Sequence, residues 1–158
     1  KDNNEIRGDV IVKSSKLKPI KASKEYYVKA TDEYPILFVI AALVKGISIF
    51  KGIDDLANKE SNRIKEMQKV LKQAGVKSIF SKNKLKIFGK GVMNLRKKKI
   101  FIPNLGDHRI CMATFVLALL TGAETKIKNF VIDAYNDNKH VVIAGPKFAR
   151  FFSFLRKI

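Results

Sequence analysis

Residues 59–88 read KESNRIKEMQKVLKQAGVKSIFSKNKLKIF, and this stretch decides the fold class. Its first part predicts an amphipathic helix that ends at Gly75, because apolar and charged side chains alternate at helical spacing. The predicted apolar face comprises Ile64, Met67, Val70, Leu71 and Ala74, and the predicted opposite face comprises Lys65, Glu66, Lys69 and Lys72. Two apolar segments follow, residues 76–80 and 84–88, with Ser81-Lys82-Asn83 between them, which is typical of a β-hairpin. A helix that leads into a hairpin indicates a protein of mixed helices and strands.

The alternation of strands and helices continues on both sides of this stretch. The other predicted strands are residues 9–14, 47–53, 100–102 and 125–132. Residues 36–44 are predicted to form a helix that is apolar all round and stopped by Gly46. A second helix is predicted at residues 107–120, capped by Asp107 and closed by Gly122. A last helix is predicted from about Pro146, packed through Phe148, Phe151, Phe152 and Leu155. This order predicts an α/β or α+β domain that holds between one and two copies of a repeated unit.

The composition of the 158 residues sets further limits on the class of protein. With 46% hydrophobic and 29% charged residues, the chain has enough apolar side chains for a packed core. The longest apolar run, residues 35–44, is about half of the roughly 18 residues that a membrane-spanning helix needs. The first residues show no signal segment for export. One cysteine excludes an internal disulfide, and two histidines argue against structural zinc, so we expect a cytoplasmic protein.

The charge of the chain suggests an anionic partner. The sequence contains 32 Lys and Arg against 14 Asp and Glu, a formal net charge of +18. Nucleic acid, an anionic membrane surface and phosphorylated small molecules all suit this excess. The lysines are spread along the chain without the interleaved aromatic residues of a single-strand binding platform. We therefore interpret most of them as a solvated surface, with nucleic-acid binding as the alternative.

Two predicted helix starts carry cations where the helix dipole disfavours them. Lys59 and Arg63 flank the start of the amphipathic helix, and His108 and Arg109 occupy the first turn of the helix after Asp107. Each such cation costs about 0.3–1 kcal/mol, and local violations of this kind are typical of functional sites. Together with free backbone donors, these side chains form a good receptor for phosphate or carboxylate.

A third, acidic helix start belongs to the same signal, and two further candidates are weaker. Asp32 is placed to cap the buried helix, with Pro35 in its first turn. Cys111 lies three residues after His108, but its apolar neighbours indicate a buried, inert thiol. His140 falls in a polar loop and carries no assignable role.

Four segments match a known family in order and separation. They are residues 14–20 (SSKLKPI), 32–35 (DEYP), 59–64 (KESNRI) and 106–112 (GDHRICM). On these motifs the chain resembles the C-terminal part of the EPSP synthase family, the 3-phosphoshikimate 1-carboxyvinyltransferases. The resemblance implies an inverse α/β domain of βαβαββ units, with unit A at about residues 1–92 and unit B at about 93–158. It also implies that the family's second domain is absent from this chain.

The resemblance implies a reaction as well. Members transfer the enolpyruvyl group of phosphoenolpyruvate to the 5-hydroxyl of shikimate 3-phosphate, on the route to aromatic amino acids. The reaction needs one base and one acid, and the family uses two carboxylates in different environments. The resemblance implies that Asp32 is the proton acceptor and Glu60 the proton donor. It implies that Asp32 and Lys59 contact shikimate 3-phosphate. The implied ligands of phosphoenolpyruvate are Arg63, Arg109 and His108. No metal or organic cofactor is implied, nor a membrane or specific nucleic-acid partner, and the intact enzyme is expected to be a monomer.

Some positions depart from the family pattern. Ile143 stands where a phosphate-binding lysine is common, which puts one phosphate contact in question. Asn62 replaces a commoner aspartate, and Asp55 stands where some members have asparagine.

Three alternative functions follow from the same residues. The first is a UDP-N-acetylglucosamine enolpyruvyl transferase, although the KES string at 59–61 and the DHR string at 107–109 favour the shikimate enzyme. The second is an RNA-binding module related to RNA 3′-phosphate cyclases, and the third is a non-catalytic remnant. Because the other domain's residues are missing, we expect this chain alone to be inactive.

Overall fold

The computed structural model describes residues 8, 9, 11, 13, 15–91, 95, 99–102, 106–123, 125–127, 132–134 and 141–143. The strands among them are β1 (Lys21–Ala22), β2 (Gly46–Lys51), β3 (Lys77–Ser81), β4 (Lys84–Gly89), β5 (Ile100–Ile102), β6 (Thr125–Ile127), β7 (Ile132–Ala134) and β8 (Val141–Ile143). The helices are α1 (Lys24–Ala30), α2 (Tyr34–Leu43), α3 (Arg63–Gln73) and α4 (His108–Thr121), with short 3-10 helices at Thr31–Glu33 and Asp54–Asn58.

A four-stranded sheet forms the frame of the first part of the chain. Its strand order is β1-β2-β4-β3, with β1 parallel to β2 and the other neighbours antiparallel. The helices α1 and α2 connect β1 to β2, and α3 leads from β2 into the β3–β4 hairpin. The order strand, helix, strand, helix, strand, strand is therefore present once in full, with α1 as an added short helix.

Two smaller sheets follow in the chain. The strands β5 and β6 are parallel and joined by α4, and β7 pairs with β8 antiparallel. These elements repeat part of the same order, and the division of the chain at about residue 92 stays a prediction.

The helix α2 lies at the centre of the hydrophobic core. None of its ten residues is exposed, as its all-round apolar sequence predicts. The rings of Tyr27, Tyr34, Phe38 and Phe50 meet edge to face, with centroids between 4.9 and 5.9 Å apart. Each such pair adds about 0.5–1.5 kcal/mol beyond the burial of its apolar area. The core therefore holds the start of α2, and the residues directly before it, in a fixed place.

The end of α2 differs from the prediction. The helix ends at Leu43 because Val44 is already extended, so Gly46 does not stop it but begins β2 with a φ of +131°. The carbonyl oxygens of the last helical turn are covered by the end of β4, where Lys90 N donates to Ala42 O at 3.2 Å. A strand that passes this close to a helix end needs a glycine, and Gly89 occupies that position.

The amphipathic helix α3 is confirmed except for one side chain. All five residues of its predicted apolar face are buried. Glu66, predicted on the opposite face, is buried too, because a residue three positions after Arg63 and four before Val70 lies at the border of the buried side. Its carboxylate is partnered by Lys69 Nζ at 2.7 Å.

The predicted hairpin is also confirmed, with a tighter turn. The strand β3 continues through Ser81, so only Lys82 and Asn83 form the turn, with φ values of 48° and 52°. Two successive residues with positive φ are typical of a type I′ hairpin turn. The side chain of Asn83 contacts the segment that follows the neighbouring strand β2. There its Oδ1 accepts from the N–H groups of Ile53 (2.7 Å) and Asp54 (2.8 Å).

The remaining predictions divide into confirmed, corrected and untested ones. The strand at residues 100–102 and the helix capped by Asp107 and closed by Gly122 are confirmed. The predicted strand at residues 125–132 is two strands, β6 and β7, and residues 128–131 lie outside the described residues. The described residues of segment 9–14 are in no strand, and the predicted helix from Pro146 lies outside the described residues. No helix in the described part of the chain has both the length and the apolar character to cross a membrane.

Candidate active site

Arg63 lies at the centre of a cluster of charged side chains. It is the first residue of α3, and only 1% of its side chain is exposed. Its three nitrogens donate to three different carboxylates: Nε to Asp107 Oδ2 at 2.9 Å, Nη1 to Asp32 Oδ1 at 3.1 Å, and Nη2 to Glu60 Oε2 at 2.5 Å. Burial alone lowers the pKa of Arg63, but these carboxylates outweigh it and raise the pKa above its ordinary value.

Both helices that carry an arginine of this cluster begin at a side-chain cap. The Asn62 side chain accepts from Lys65 N at 3.0 Å at the start of α3. Asp107 Oδ1 accepts from Arg109 N at 3.1 Å and Ile110 N at 3.4 Å at the start of α4. Capped starts fix the backbone from which each arginine side chain leaves.

Arg109 adds a second, more accessible guanidinium. Its side chain is 29% exposed, with Nη2 3.2 Å from Asp32 Oδ2 and Nη1 3.3 Å from Glu33 Oε1. Asp32 therefore bridges the two arginines, one oxygen to each. The hydrogen bond from Arg63, helped by the positive charges of Arg109 and Lys59, lowers the pKa of Asp32. Asp32 is a carboxylate at neutral pH.

The prediction that Asp32 caps the buried helix is wrong. Asp32 lies inside the 3-10 helix Thr31–Glu33, and the residue before α2 is Glu33, which makes no side-chain cap either. The physical reason is that both oxygens of Asp32 are engaged by guanidinium groups from other parts of the chain.

Lys59 lies beside the cluster in a small network of its own. Its Nζ is 2.9 Å from Asp55 Oδ2, which also accepts from the Tyr27 hydroxyl at 2.9 Å. Burial and the adjacent carboxylate raise the pKa of Tyr27 to about 12. Since the charge of Lys59 also lowers the pKa of Asp32, its ammonium lies within electrostatic range of the cluster.

The other candidates take different places. His108 is the half-buried first residue of α4, and none of the cluster's hydrogen bonds or ion pairs among the described residues involves it. Cys111 is buried, and burial together with the charge of Asp107 raises its pKa to about 11, which agrees with an inert thiol. His140 lies outside the described residues, and of Ile143 only the backbone in β8 is described.

Three members of the cluster were not predicted as site residues. Glu33 contacts Arg109, Ser61 Oγ donates to Asp107 Oδ2 at 2.8 Å, and Asp107 was expected to be a helix cap alone. The only local signal for Glu33 was a second acidic residue directly after Asp32. The partner of Asp107 is 44 residues away, and no rule of spacing finds such a contact.

The arrangement is suited to bind an anionic ligand and to exchange protons with it. Two guanidinium groups and one ammonium gather at or beside helix starts, and such cations bind phosphate and carboxylate groups. Asp32 and Glu60 are about half exposed, at 54% and 51% of their side chains, so both can reach a ligand. No group of three or more His, Cys, Asp or Glu side chains in the described ranges is placed to hold a metal ion.

The described residues therefore form an α/β unit in which two arginines, each at the start of a helix, share the carboxylate of Asp32. The profile of one family, EPSP synthase (3-phosphoshikimate 1-carboxyvinyltransferase), matches residues 4–134. The chain belongs to the EPSP synthase family.

Individual relatives agree with this assignment. The chain is similar to 3-phosphoshikimate 1-carboxyvinyltransferase of Clostridium tetani, with 38% identity over 128 residues, which cover 81% of this chain and 29% of the relative. The enzyme of the same name from Thermodesulfovibrio yellowstonii is 35% identical over 154 residues, 95% of this chain and 32% of the relative. The chain therefore spans less than a third of the length of these relatives.

Solved structures extend the likeness to three dimensions. An EPSP synthase from Acinetobacter baumannii superposes with a TM-score of 0.55 at 31% identity, covering 70% of this chain and 24% of that one. A second structure of EPSP synthase from the same organism gives a TM-score of 0.57 at 25% identity, covering 87% and 29%. The predicted EPSP synthase-like α/β fold is confirmed, and neither the UDP-N-acetylglucosamine enzyme nor an RNA-binding module is favoured.

Proposed function

We propose that the whole protein carrying this chain transfers the enolpyruvyl group of phosphoenolpyruvate to the 5-hydroxyl of shikimate 3-phosphate, and that this chain supplies part of its active site. The observation that carries the proposal is the bridge that Asp32 makes between Arg63 and Arg109 at the starts of two helices. Family membership supports the reaction, and the geometry supports the residues.

The arginines take the negative charges of phosphoenolpyruvate in this proposal. Arg109 is the accessible guanidinium, and Arg63 presents Nη1 and Nη2 toward the two half-exposed carboxylates. Planar guanidinium groups bind phosphate and carboxylate with two parallel hydrogen bonds, which fixes orientation as well as charge. Lys59, freed from Asp55, adds a point charge for shikimate 3-phosphate, and His108 adjoins the phosphate of phosphoenolpyruvate.

The two carboxylates exchange the protons. Asp32 takes the proton of the 5-hydroxyl while the oxygen bonds to C2 of phosphoenolpyruvate, and Glu60 gives a proton to C3. The tetrahedral intermediate then expels phosphate, and C3 returns one proton, which restores the double bond. The role of base requires Asp32 to arrive ionised, which agrees with its lowered pKa.

Substrate binding itself makes Asp32 a better base. Its pKa is lowered because both oxygens accept from guanidinium groups. A phosphoenolpyruvate anion that occupies Arg109 and Arg63 competes for those donors, so the pKa of Asp32 rises towards its ordinary value. A general base is most effective when its pKa approaches the working pH, so the base strengthens only when substrate is bound.

The test uses this chain joined to the preceding two thirds of the Clostridium tetani relative, with steady-state kinetics on both substrates. Asp32→Asn and Glu60→Gln keep the shape of the side chains but remove proton exchange. Each is expected to lower kcat by about 10²–10⁴-fold, with a smaller change in KM. Asp54→Asn is the matched control, since Asp54 is an exposed aspartate at the start of the other 3-10 helix.

The same protein tests the arginines. Arg63→Lys and Arg109→Lys are expected to raise KM for phosphoenolpyruvate, because an ammonium cannot reproduce the two-pronged contact. Normal kcat in Asp32→Asn, or an unchanged KM in both lysine variants, would contradict the assigned roles. The 158-residue chain alone is expected to release no phosphate from the two substrates.

The setting of the enzyme is part of the same proposal. The one cysteine of this chain is free and buried, which suits a reducing compartment, so we propose that the intact enzyme lies in the cytoplasm. We also propose that it acts as a monomer, which its elution volume in size-exclusion chromatography tests directly.

A further inference from the structure

We propose that Asp107 is a positioning residue for the reaction: its carboxylate holds Arg63 by Nε and sets the spacing between the two arginines. This inference rests on the proposed function, because it concerns how the phosphoenolpyruvate ligands are aimed. The sequence pattern alone identifies Asp107 only as the cap of a helix.

The first argument is that the two oxygens of Asp107 accept hydrogen bonds from different helix starts. Oδ1 accepts from the backbone N–H groups of Arg109 and Ile110, which is the cap of α4. Oδ2 accepts from Arg63 Nε at 2.9 Å and from Ser61 Oγ at 2.8 Å, both at the start of α3. One side chain thus joins the two helix starts.

The second argument is burial. The Asp107 side chain is 0% exposed, whereas Asp32 and Glu60 are about half exposed. Asp107 is therefore the inner partner of Arg63, and the other two carboxylates lie on the open side. With Nε held from inside, Nη1 and Nη2 meet these two half-exposed carboxylates, on the side from which the proposed anion would approach.

The third argument is the choice of side chain. A cap alone is served about equally well by Asn, Ser or Asp. Only a carboxylate offers two acceptor oxygens and a negative charge, and a buried guanidinium needs both. Burial raises the pKa of Asp107, but hydrogen bonds from Arg63 and Ser61 outweigh it and lower the pKa. The group remains charged beside Arg63 at neutral pH.

The kinetic test uses Asp107→Asn in the joined protein described above. The amide keeps Oδ1 for the cap but presents an NH₂ group to Arg63 Nε, so the guanidinium loses its inner partner. KM for phosphoenolpyruvate is expected to rise by about tenfold or more, the loss that removal of a charged hydrogen-bond partner produces. KM for shikimate 3-phosphate is expected to change less.

Gln73→Ala is the matched structural control. Gln73 lies at the far end of the same helix, and its side chain makes two hydrogen bonds of 2.8 Å with the backbone of Phe101. This variant loses stability without touching the cluster, so its KM for phosphoenolpyruvate is expected to stay unchanged. An equal rise of KM in Gln73→Ala and Asp107→Asn would assign the effect to general loosening and overturn the proposal.

A double-mutant cycle separates action through Arg63 from an independent effect. Lysine lacks Nε, so in an Arg63→Lys background Asp107→Asn is expected to add little to the rise of KM. Effects on kcat/KM that multiply, within about twofold, would show that Asp107 does not act through Arg63 and would overturn the proposal.

A spectroscopic readout keeps the inference testable apart from activity. In the 158-residue chain, the Arg63 Nε–H proton is expected to exchange slowly with water, and at least about tenfold faster in Asp107→Asn. If the joined protein shows no turnover, the proposed function fails. The exchange rate of the Arg63 Nε–H proton still tests whether Asp107 holds Arg63. If Asp107→Asn does not fold, Ser61→Ala removes one support of Oδ2 and should speed the same exchange. Unchanged exchange in a folded variant overturns the proposal.

Discussion

The burial of the Arg63 guanidinium costs free energy. Transfer of a guanidinium and its carboxylate partners out of water costs several kcal/mol per ion, and replacement of such groups by apolar residues is often neutral or stabilising. A chain selected for stability alone has little reason to keep three carboxylates around a 1% exposed arginine. The substrate binding proposed above would account for this cluster.

Tyr34 shows a smaller cost at the scale of one atom. Its hydroxyl is buried without a hydrogen-bond partner among the described residues, and burial raises its pKa. An unpaired buried hydroxyl costs about 1–3 kcal/mol. Tyr34→Phe is therefore expected to raise the free energy of unfolding by roughly 1 kcal/mol, as measured by urea denaturation. Tyr27→Phe is the control, because the Tyr27 hydroxyl donates to Asp55 and its removal should lower stability. A loss of stability in Tyr34→Phe would contradict the assignment.

At the scale of elements, the hairpin turn does more than reverse the chain. Asn83 adopts a left-handed φ that few side chains tolerate, and its Oδ1 accepts two backbone hydrogen bonds at the start of the 3-10 helix Asp54–Asn58. That 3-10 helix leads directly to Lys59 and Glu60. The turn therefore supports the segment that delivers two of the proposed site residues.

Asn83→Ala is expected to destabilise the chain by about 1–3 kcal/mol, because two backbone N–H groups lose their acceptor and alanine disfavours the left-handed conformation. The midpoint of urea denaturation measures the loss. Lys82→Gly is the control: Lys82 has the same sign of φ but no such contact among its described hydrogen bonds, so glycine should preserve or raise stability. Equal losses in both variants would mean that the turn conformation, not the Asn83 contact, sets the stability.

Local order and long-range order differ in how far the sequence predicted them. The helices α3 and α4, the hairpin and the buried α2 follow from spacing, caps and glycines within a few residues, and these were predicted correctly. Asp32 was assigned to a cap because the capping rule is local, while its true partners lie 31 and 77 residues away. Glu66 was placed on the wrong face because helical spacing leaves border positions ambiguous. Lys59, Arg63, His108 and Arg109 were singled out from their places at predicted helix starts. The candidate role of Glu60, and the joining of all these residues into one site, came from motif resemblance, which carries long-range information that spacing lacks.

At the scale of the whole molecule, the acidic residues are distributed unevenly. The chain has 14 acidic residues against 32 Lys and Arg, yet four of the 14 gather around two arginines: Asp32, Glu33, Glu60 and Asp107. Four carboxylates against two guanidinium groups give these six side chains a net negative formal charge within a strongly basic protein. The carboxylates of the cluster are consequently the groups through which acid should act on the fold.

We expect the free energy of unfolding to fall in acid. The pKa values of Asp32 and Asp107 are lowered in the folded chain relative to an ordinary aspartate value of about 3.9. A lowered folded pKa contributes stability that is present above the unfolded pKa and lost as pH falls through the folded pKa. Urea midpoints between about pH 7 and pH 2.5 measure the loss.

Asp107→Asn should show a smaller dependence on pH over this range, since one of the titrating groups is gone. Asp54→Asn should retain the full dependence and serves as the control for a change of one charge. The same slope in Asp107→Asn and in the unmodified chain would place the acid sensitivity elsewhere.

The wide sequence separation of the cluster has a consequence for the lifetime of the folded state. Four of the five ion pairs described for it close loops of 31, 44, 76 and 77 residues, whereas the β3–β4 hairpin closes within two residues. Contacts between distant segments bear a large closure entropy and form late during folding. Interactions that are absent from the folding transition state act on the unfolding rate and leave the folding rate nearly unchanged. We therefore expect the charged cluster to act on the unfolding rate, so that an anion bound between Arg63 and Arg109 would slow unfolding without speeding folding.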